Sequence, residues 1–146
     1  NRALLDLLIT SVSNGGNLLL NVGPTARGEF DDRANTALDS LGIWMHANSQ
    51  AIYNCSYAPA EYAAVDGAKT TYNKAAKKLY VHLFDYPKDG TLILKGYAKH
   101  AKYAQFLHDN SELQIDKEKT KGDDLVLKLP NKKPNFEIPV VELSLK

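Results

Sequence analysis

Two adjacent carboxylate pairs, Asp31-Asp32 and Asp123-Asp124, are the acids in this 146-residue chain whose spacing raises the question of paired acid–base chemistry. Asp31 and Asp32 open a helical pattern, where neighbouring side chains point in different directions. They read as an N-cap and a first-turn acid, accepting from free N–H groups and complementing the helix dipole. Asp123 and Asp124 lie in a lysine-rich loop and read as solvated. No catalytic residue is assigned to this chain. The four histidines, His46, His82, His100 and His108, are scattered without metal-ligand spacing, so neither a metal site nor a cofactor is expected. His82 alternates with the apolar positions of its segment and is expected to meet solvent or a domain interface. The lone Cys55 has no partner for an internal disulfide. Asn54-Cys55-Ser56 fits the N-glycosylation pattern, a tripeptide that also arises by chance.

Asn21 is the polar residue most open to a binding role. It sits near the end of a short apolar run, residues 17–22, closed by Gly23-Pro24. A run apolar at consecutive positions fits a strand buried on both faces, as in a parallel sheet. Barrel enzymes build their sites at the C-terminal ends of such strands, which makes Asn21 a candidate substrate-binding residue at a barrel rim. The competing reading, which is preferred, is a hydrogen bond to a neighbouring strand end or loop backbone. Trp44 fits a helix core. Tyr80, Phe84, Tyr86, Tyr97, Tyr103 and Phe106 are explained mostly by strand propensity, with a sugar-stacking surface as the alternative.

The elements that must position these residues fall into two textures. Leu5, Leu8, Ile9 and Val12 share one face of a helix over Arg2–Ser13, which Asn14-Gly15-Gly16 ends. After the buried run comes a second helix with the stripe Ala34, Ala37, Leu38, Leu41, Trp44 and Met45, stopping near Asn48 with a further turn over residues 50–53. Beyond Cys55 a stretch of small residues leads into strand patterns at 69–72, 78–84, 91–94, 103–107, 112–115, 125–129 and 140–145. Asp89-Gly90 is a hairpin signal between the second and third of these. Short strands at this spacing predict a β-sandwich.

The expected organisation is therefore α/β followed by all-β. Residues 1–55 are an incomplete α/β portion, 56–65 a connector, and 66–146 an antiparallel sandwich. Two helices and one doubly buried strand cannot cover their own apolar faces, so the first portion is expected to complete a larger structure that begins upstream. The start, Asn1-Arg2-Ala3, shows no initiator Met or signal-peptide pattern, which fits a trimmed start or the end of something longer. Eighteen basic residues against seventeen acidic leave a net charge of +1, without the electropositive footprint that nucleic acid requires. The longest apolar run falls far short of the roughly 20 residues of a membrane span.

Gly15-Gly16-Asn17-Leu18-Leu19-Leu20-Asn21-Val22-Gly23-Pro24, then Gly28, Gly42-Ile43-Trp44-Met45 and Ala51-Ile52-Tyr53, closely resemble the end of the catalytic domain in α-L-fucosidases of glycoside hydrolase family 29. Leu79-Tyr80-Val81-His82-Leu83, Tyr103-Ala104-Gln105-Phe106-Leu107 and Lys133-Pro134-Asn135 resemble the C-terminal β-domain of such enzymes. One departure is Ser49, where similar sequences often carry glycine; it bears only on the helix cap.

The resemblance implies that Arg2–Ser13 is the seventh outer helix of a (β/α)8 barrel, residues 17–22 its eighth strand and 31–47 its eighth helix, with a C-terminal antiparallel β-sandwich after them. It implies a hydrolase, a glycosidase that removes terminal α-L-fucosyl residues from glycans or glycosides with retention, and a secreted, periplasmic or lysosomal location. Retention requires two carboxyl groups about 5 Å apart, one a nucleophile and one an acid/base. In the family both lie upstream, together with the fucose-binding histidines, so the catalytic carboxylates are absent from this chain and the fragment alone is expected to be inactive. Its partners would be a fucosylated substrate and the missing N-terminal barrel portion of the same protein. The alternative is that residues 66–146 act as a carbohydrate-binding module.

Overall fold

A computed structural model describes residues 2–19 and 23–146. Helix α1 (Arg2–Ser13) buries Leu5, Ile9 and Val12, the face its periodicity indicates. It closes in a Schellman turn: the Gly16 N–H donates to the Ser11 carbonyl at 2.8 Å and the Gly15 N–H to the Val12 carbonyl at 3.0 Å. Gly15 takes φ +82°, and a Cβ there would stand 3.0 Å from Cδ1 of Tyr57. Both backbone and neighbour therefore call for glycine.

Helix α2 (Asp32–Asn48) is capped as expected, with the Asp31 carboxylate accepting from the Ala34 N–H at 2.7 Å. Within its stripe only Trp44 is fully buried, while Ala34, Ala37, Leu38, Leu41 and Met45 stay half-buried. A 3-10 turn, Ser49–Ala51, follows. The strand expected over residues 17–22 falls partly beyond view: 17–19 carry no strand pairing, and Leu20, Asn21 and Val22 lie outside the described residues.

The rest is antiparallel β structure. Strands β1 (Ala68–Asn73), β2 (Lys78–Leu83), β4 (Ala101–Phe106) and β7 (Val140–Leu145) form one sheet in the order β1-β2-β7-β4. Strands β3 (Thr91–Leu94), β5 (Gln114–Ile115) and β6 (Leu125–Lys128) form a second in the order β3-β6-β5. Leu79, Val81, Leu83, Phe106, Val141 and Leu143 from the first sheet meet Leu92, Leu94, Leu125 and Leu127 from the second in a sandwich core. Strand β5 is shorter than the expected 112–115; Glu112 makes only an isolated bridge to Gln105.

The structure corrects one expectation. Asp89-Gly90 does not join a hairpin, because β2 pairs with β1 and β7 whereas β3 pairs with β6. Gly90, at φ +71°, has its carbonyl tied to the Leu129 N–H at 2.7 Å, so the turn is fastened to the end of β6 and carries the chain across to the other sheet. Of the two surroundings expected for His82, solvent and a domain interface, it has the second, between the helices and the sandwich. It is fully buried on the outer face of the four-stranded sheet, beneath the helices.

That outer face explains why β2 is buried on both sides. Leu79, Val81 and Leu83 point into the sandwich. Tyr80 packs with Leu5, Ile9, Val12, Trp44, Ile138 and Val140 in a second core, between the helices and the sheet. The four-stranded sheet is thus the middle of three layers. On α1, Lys69 of β1 pairs with Asp6 at 2.8 Å and also donates to Thr10.

Candidate functional site

Acid–base chemistry on a glycosidic bond would need paired carboxylates, and one acid of each adjacent pair has a structural task. Asp31 caps α2. Asp124 accepts from the Gly96 N–H at 3.2 Å. Asp116, buried after β5, accepts from the N–H groups of Glu118 and Lys119, both at 3.2 Å, and so holds a turn. Among the described residues, no group of three or more His, Cys, Asp or Glu side chains is placed to hold a metal ion. Asn21, the candidate rim residue, lies outside the described residues.

The most developed polar cluster was not singled out from sequence. Thr71 pairs with Tyr80, Tyr80 with Glu142, and Glu142 with Gln105, making one row across all four strands on the outer face. Glu142 is only 4% exposed. Its carboxylate accepts from Gln105 Nε2 at 2.9 Å and pairs with Lys78 Nζ at 3.6 Å, and Lys78 in turn donates to Ser144 Oγ at 2.7 Å. Burial, reinforced by the Glu142 carboxylate beside it, pushes the Tyr80 hydroxyl well above the ordinary phenol range. The row borders an open cleft of about 410 Å³ lined by Gln50, Tyr53, Asn54, Asn73, Lys78 and Glu142. One carboxylate tied to a lysine, an amide and a phenol cannot supply both roles of a two-carboxylate mechanism. What it does is lock β2, β4 and β7 together at the edge of the helical layer. Its one sequence signal is an acid inside the apolar run Val140-Val141-Glu142-Leu143.

Beside this row, a second set of contacts fixes the helices on the sheet. The His82 ring stacks on Trp44 with centroids 6.1 Å apart and planes 25° apart. Trp44 Nε1 donates to the Ile138 carbonyl at 3.3 Å. Thr71 Oγ1 donates its proton to the Ala51 carbonyl at 2.7 Å and stands 2.9 Å from His82 Nε2. With that hydroxyl proton committed, His82 must donate through Nε2, and its Nδ1 is the bare acceptor nitrogen. Nδ1 is buried without a partner, so a second ring proton would find no acceptor. Burial accordingly pulls the His82 pKa down to about 3.

Apolar side chains are also exposed on the two helices and outside them, at residues 19 and 30. Leu19 is 85% exposed and Ile43 67%, and Leu7 and Phe30 are exposed as well. Ile43 and Trp44 line a cleft of about 230 Å³ with Leu5 and Phe136. Large exposed apolar groups gathered in one part of a chain mark a surface meant to be covered. No helix among the described residues is long and apolar enough to cross a membrane.

A family model described as alpha-L-fucosidase matches residues 1–50. An α-L-fucosidase from Dictyostelium discoideum is 37% identical over 87 residues, which is 60% of this chain and 19% of that protein. The human plasma α-L-fucosidase is 33% identical over 92 residues, 62% of this chain and 20% of that protein. Among solved structures, α-L-fucosidase isoenzyme 1 from Paenibacillus thiaminolyticus superposes with a TM-score of 0.86 at 31% identity, over 99% of this chain and 34% of that one. A family 29 α-L-fucosidase from Bacteroides thetaiotaomicron gives 0.85 at 26% identity, over 99% of this chain and 31% of that one. The chain thus spans about a fifth of the length of the curated relatives it matches and about a third of the solved ones.

Proposed function

We propose that this chain, a relative of the α-L-fucosidases of glycoside hydrolase family 29 over nearly its whole length, is the C-terminal part of such an enzyme. In this reading residues 1–55 close the catalytic (β/α)8 barrel, 56–65 connect, and 66–146 form a β-sandwich buttress beneath it. The observation that carries the proposal is the superposition of 99% of this chain on one third of the Paenibacillus enzyme, helices and sheets together. The outward apolar residues Leu7, Leu19, Phe30 and Ile43 support it, since the remaining barrel would cover them. The whole protein would remove terminal α-L-fucose with retention, using carboxyl groups about 5 Å apart that this chain does not supply. Asn21 would sit at the barrel rim, near sugar or bonded to the adjoining strand end.

The test is stereochemical. The whole polypeptide carrying this chain, given an aryl α-L-fucoside, is expected to release α-L-fucose first, visible in the anomeric proton region of an NMR time course. Initial release of the β-anomer, or no hydrolysis, would refute the assignment.

The rival reading, a sugar-binding tail, rests on Tyr103, which is 38% exposed on β4. Tyr80, Tyr97 and Phe106, from the same aromatic set, are buried. Glycan binding by the protein that is lost in Tyr103→Ala would favour this rival.

A further inference from the structure

The tripeptide Asn54-Cys55-Ser56 is absorbed by neither the barrel nor the sandwich. It is the one place where an asparagine has Ser or Thr two positions on. We propose that Asn54 is an N-glycosylation site, modified whenever this protein passes through a eukaryotic secretory pathway, and that the polar cleft beside Asn73 and Lys78 accommodates the first sugar.

Four observations carry this. Asn54 is exposed, on the turn that follows the 3-10 segment Ser49–Ala51. Its backbone takes φ 61°, a left-handed conformation that asparagine tolerates better than most residues. Its carboxamide makes no hydrogen bond to the described residues, so attaching a glycan breaks nothing in the fold. Finally, Asn54 lines the open cleft of about 410 Å³, whose other walls, Gln50, Asn73 and Lys78, offer donors and acceptors to a sugar, with the exposed ring of Tyr53 beside them.

The rest of the tripeptide is compatible. A cysteine at its centre would be an obstacle if it were tied into a disulfide, and among the described residues Cys55 is a free thiol. Its thiol is half-buried and donates to the Gln50 carbonyl at 3.4 Å, and burial raises its pKa to about 11, so it stays a thiol. Ser56 is anchored through its backbone, exchanging hydrogen bonds with Tyr72 at 3.0 and 2.9 Å, which leaves its hydroxyl out of the ladder.

The chemistry is a group transfer without redox change. Nδ2 of Asn54 attacks C1 of the reducing N-acetylglucosamine of a lipid-pyrophosphate-linked oligosaccharide. The new N–C1 bond forms as the C1–O bond to the pyrophosphate breaks. The lipid pyrophosphate leaves with the electron pair, and Nδ2 gives up one proton to the transferase's base.

The experiment is to secrete the whole polypeptide carrying this chain from yeast or insect cells and to weigh the tryptic peptide 34–69, which holds no other acceptor tripeptide. The expected result is a glycan mass on that peptide which peptide-N-glycosidase removes, leaving an aspartate in place of Asn54. Asn54→Gln and Ser56→Ala should each abolish it, and Ser56→Thr should keep it. Peptide 34–69 found unmodified in the secreted protein, in both the native sequence and Ser56→Thr, would overturn the proposal. The measurement reads mass, so it does not depend on fucosidase activity or on the barrel assignment.

Discussion

His82 carries a pH signature because its ring has room for one proton only. Folded, Nε2–H is bound to Thr71 and Nδ1 faces no acceptor; unfolded, the ring titrates near its ordinary 6.5. The folded pKa is the lower one, so this contribution to stability is complete above about pH 6.5 and is lost as pH falls toward 3. Asp6, held below its ordinary value by Lys69, adds a loss of the same sign only once pH falls below 3.8. The unfolding midpoint in urea is therefore expected to fall between pH 6.5 and 5, and His82→Gln, which retains a donor for Thr71, should flatten that decline. An unchanged slope in the variant would argue against the buried neutral ring. Glu142 gives a second residue-scale expectation. Glu142→Ala strips Lys78, Gln105 and Tyr80 of their shared acceptor and should cost about 1–3 kcal/mol in urea unfolding. A cost near zero would mean that the row contributes nothing. Neither residue stood out from sequence as a structural pivot, because the partners of Glu142 come from other strands far along the chain and the cover over His82 comes from Trp44 of α2.

At the scale of elements, the helices were the most legible part. The periodicity of Leu5, Ile9 and Val12 and the capping acid Asp31 are local signals, and local hydrogen bonds answer them. Gly15→Ala is the matching expectation. It forces a Cβ into a φ of +82° and against Tyr57, and should lower stability by about 1–2 kcal/mol, read as a shift in denaturation midpoint without a change in slope. Strand positions were legible to within a few residues, but their pairing was not. Asp89-Gly90 carries a hairpin signal, yet Gly90 is tied to Leu129, and β3 finds its partner in β6. The same limit hid the environment of His82: alternation along β2 marks two faces, and only the helices packed above show that both are dry. Asn21 could be read for its place in a buried run, but its structural role falls outside the described residues.

For the whole molecule, the proposal makes the helical layer an interface. On its own, the chain should bind a hydrophobic dye and associate in solution, because Leu19 and Ile43 stand in water. The pair of changes Leu19→Glu and Ile43→Glu should reduce light scattering by the isolated chain and, in the whole polypeptide, lower the yield of folded enzyme. Improved scattering with an unaffected whole enzyme would show that these side chains face solvent there too.

We propose a division of labour, in which this chain closes and props a barrel whose carboxylates lie in another part of the protein. Hydrolysis of a chromogenic aryl α-L-fucoside, measured side by side for the isolated 146-residue chain and for the whole polypeptide carrying it, tests that division most directly. The expected result is turnover by the whole polypeptide and none above buffer by the isolated chain. Turnover by the isolated chain, or its absence from the whole, would contradict it.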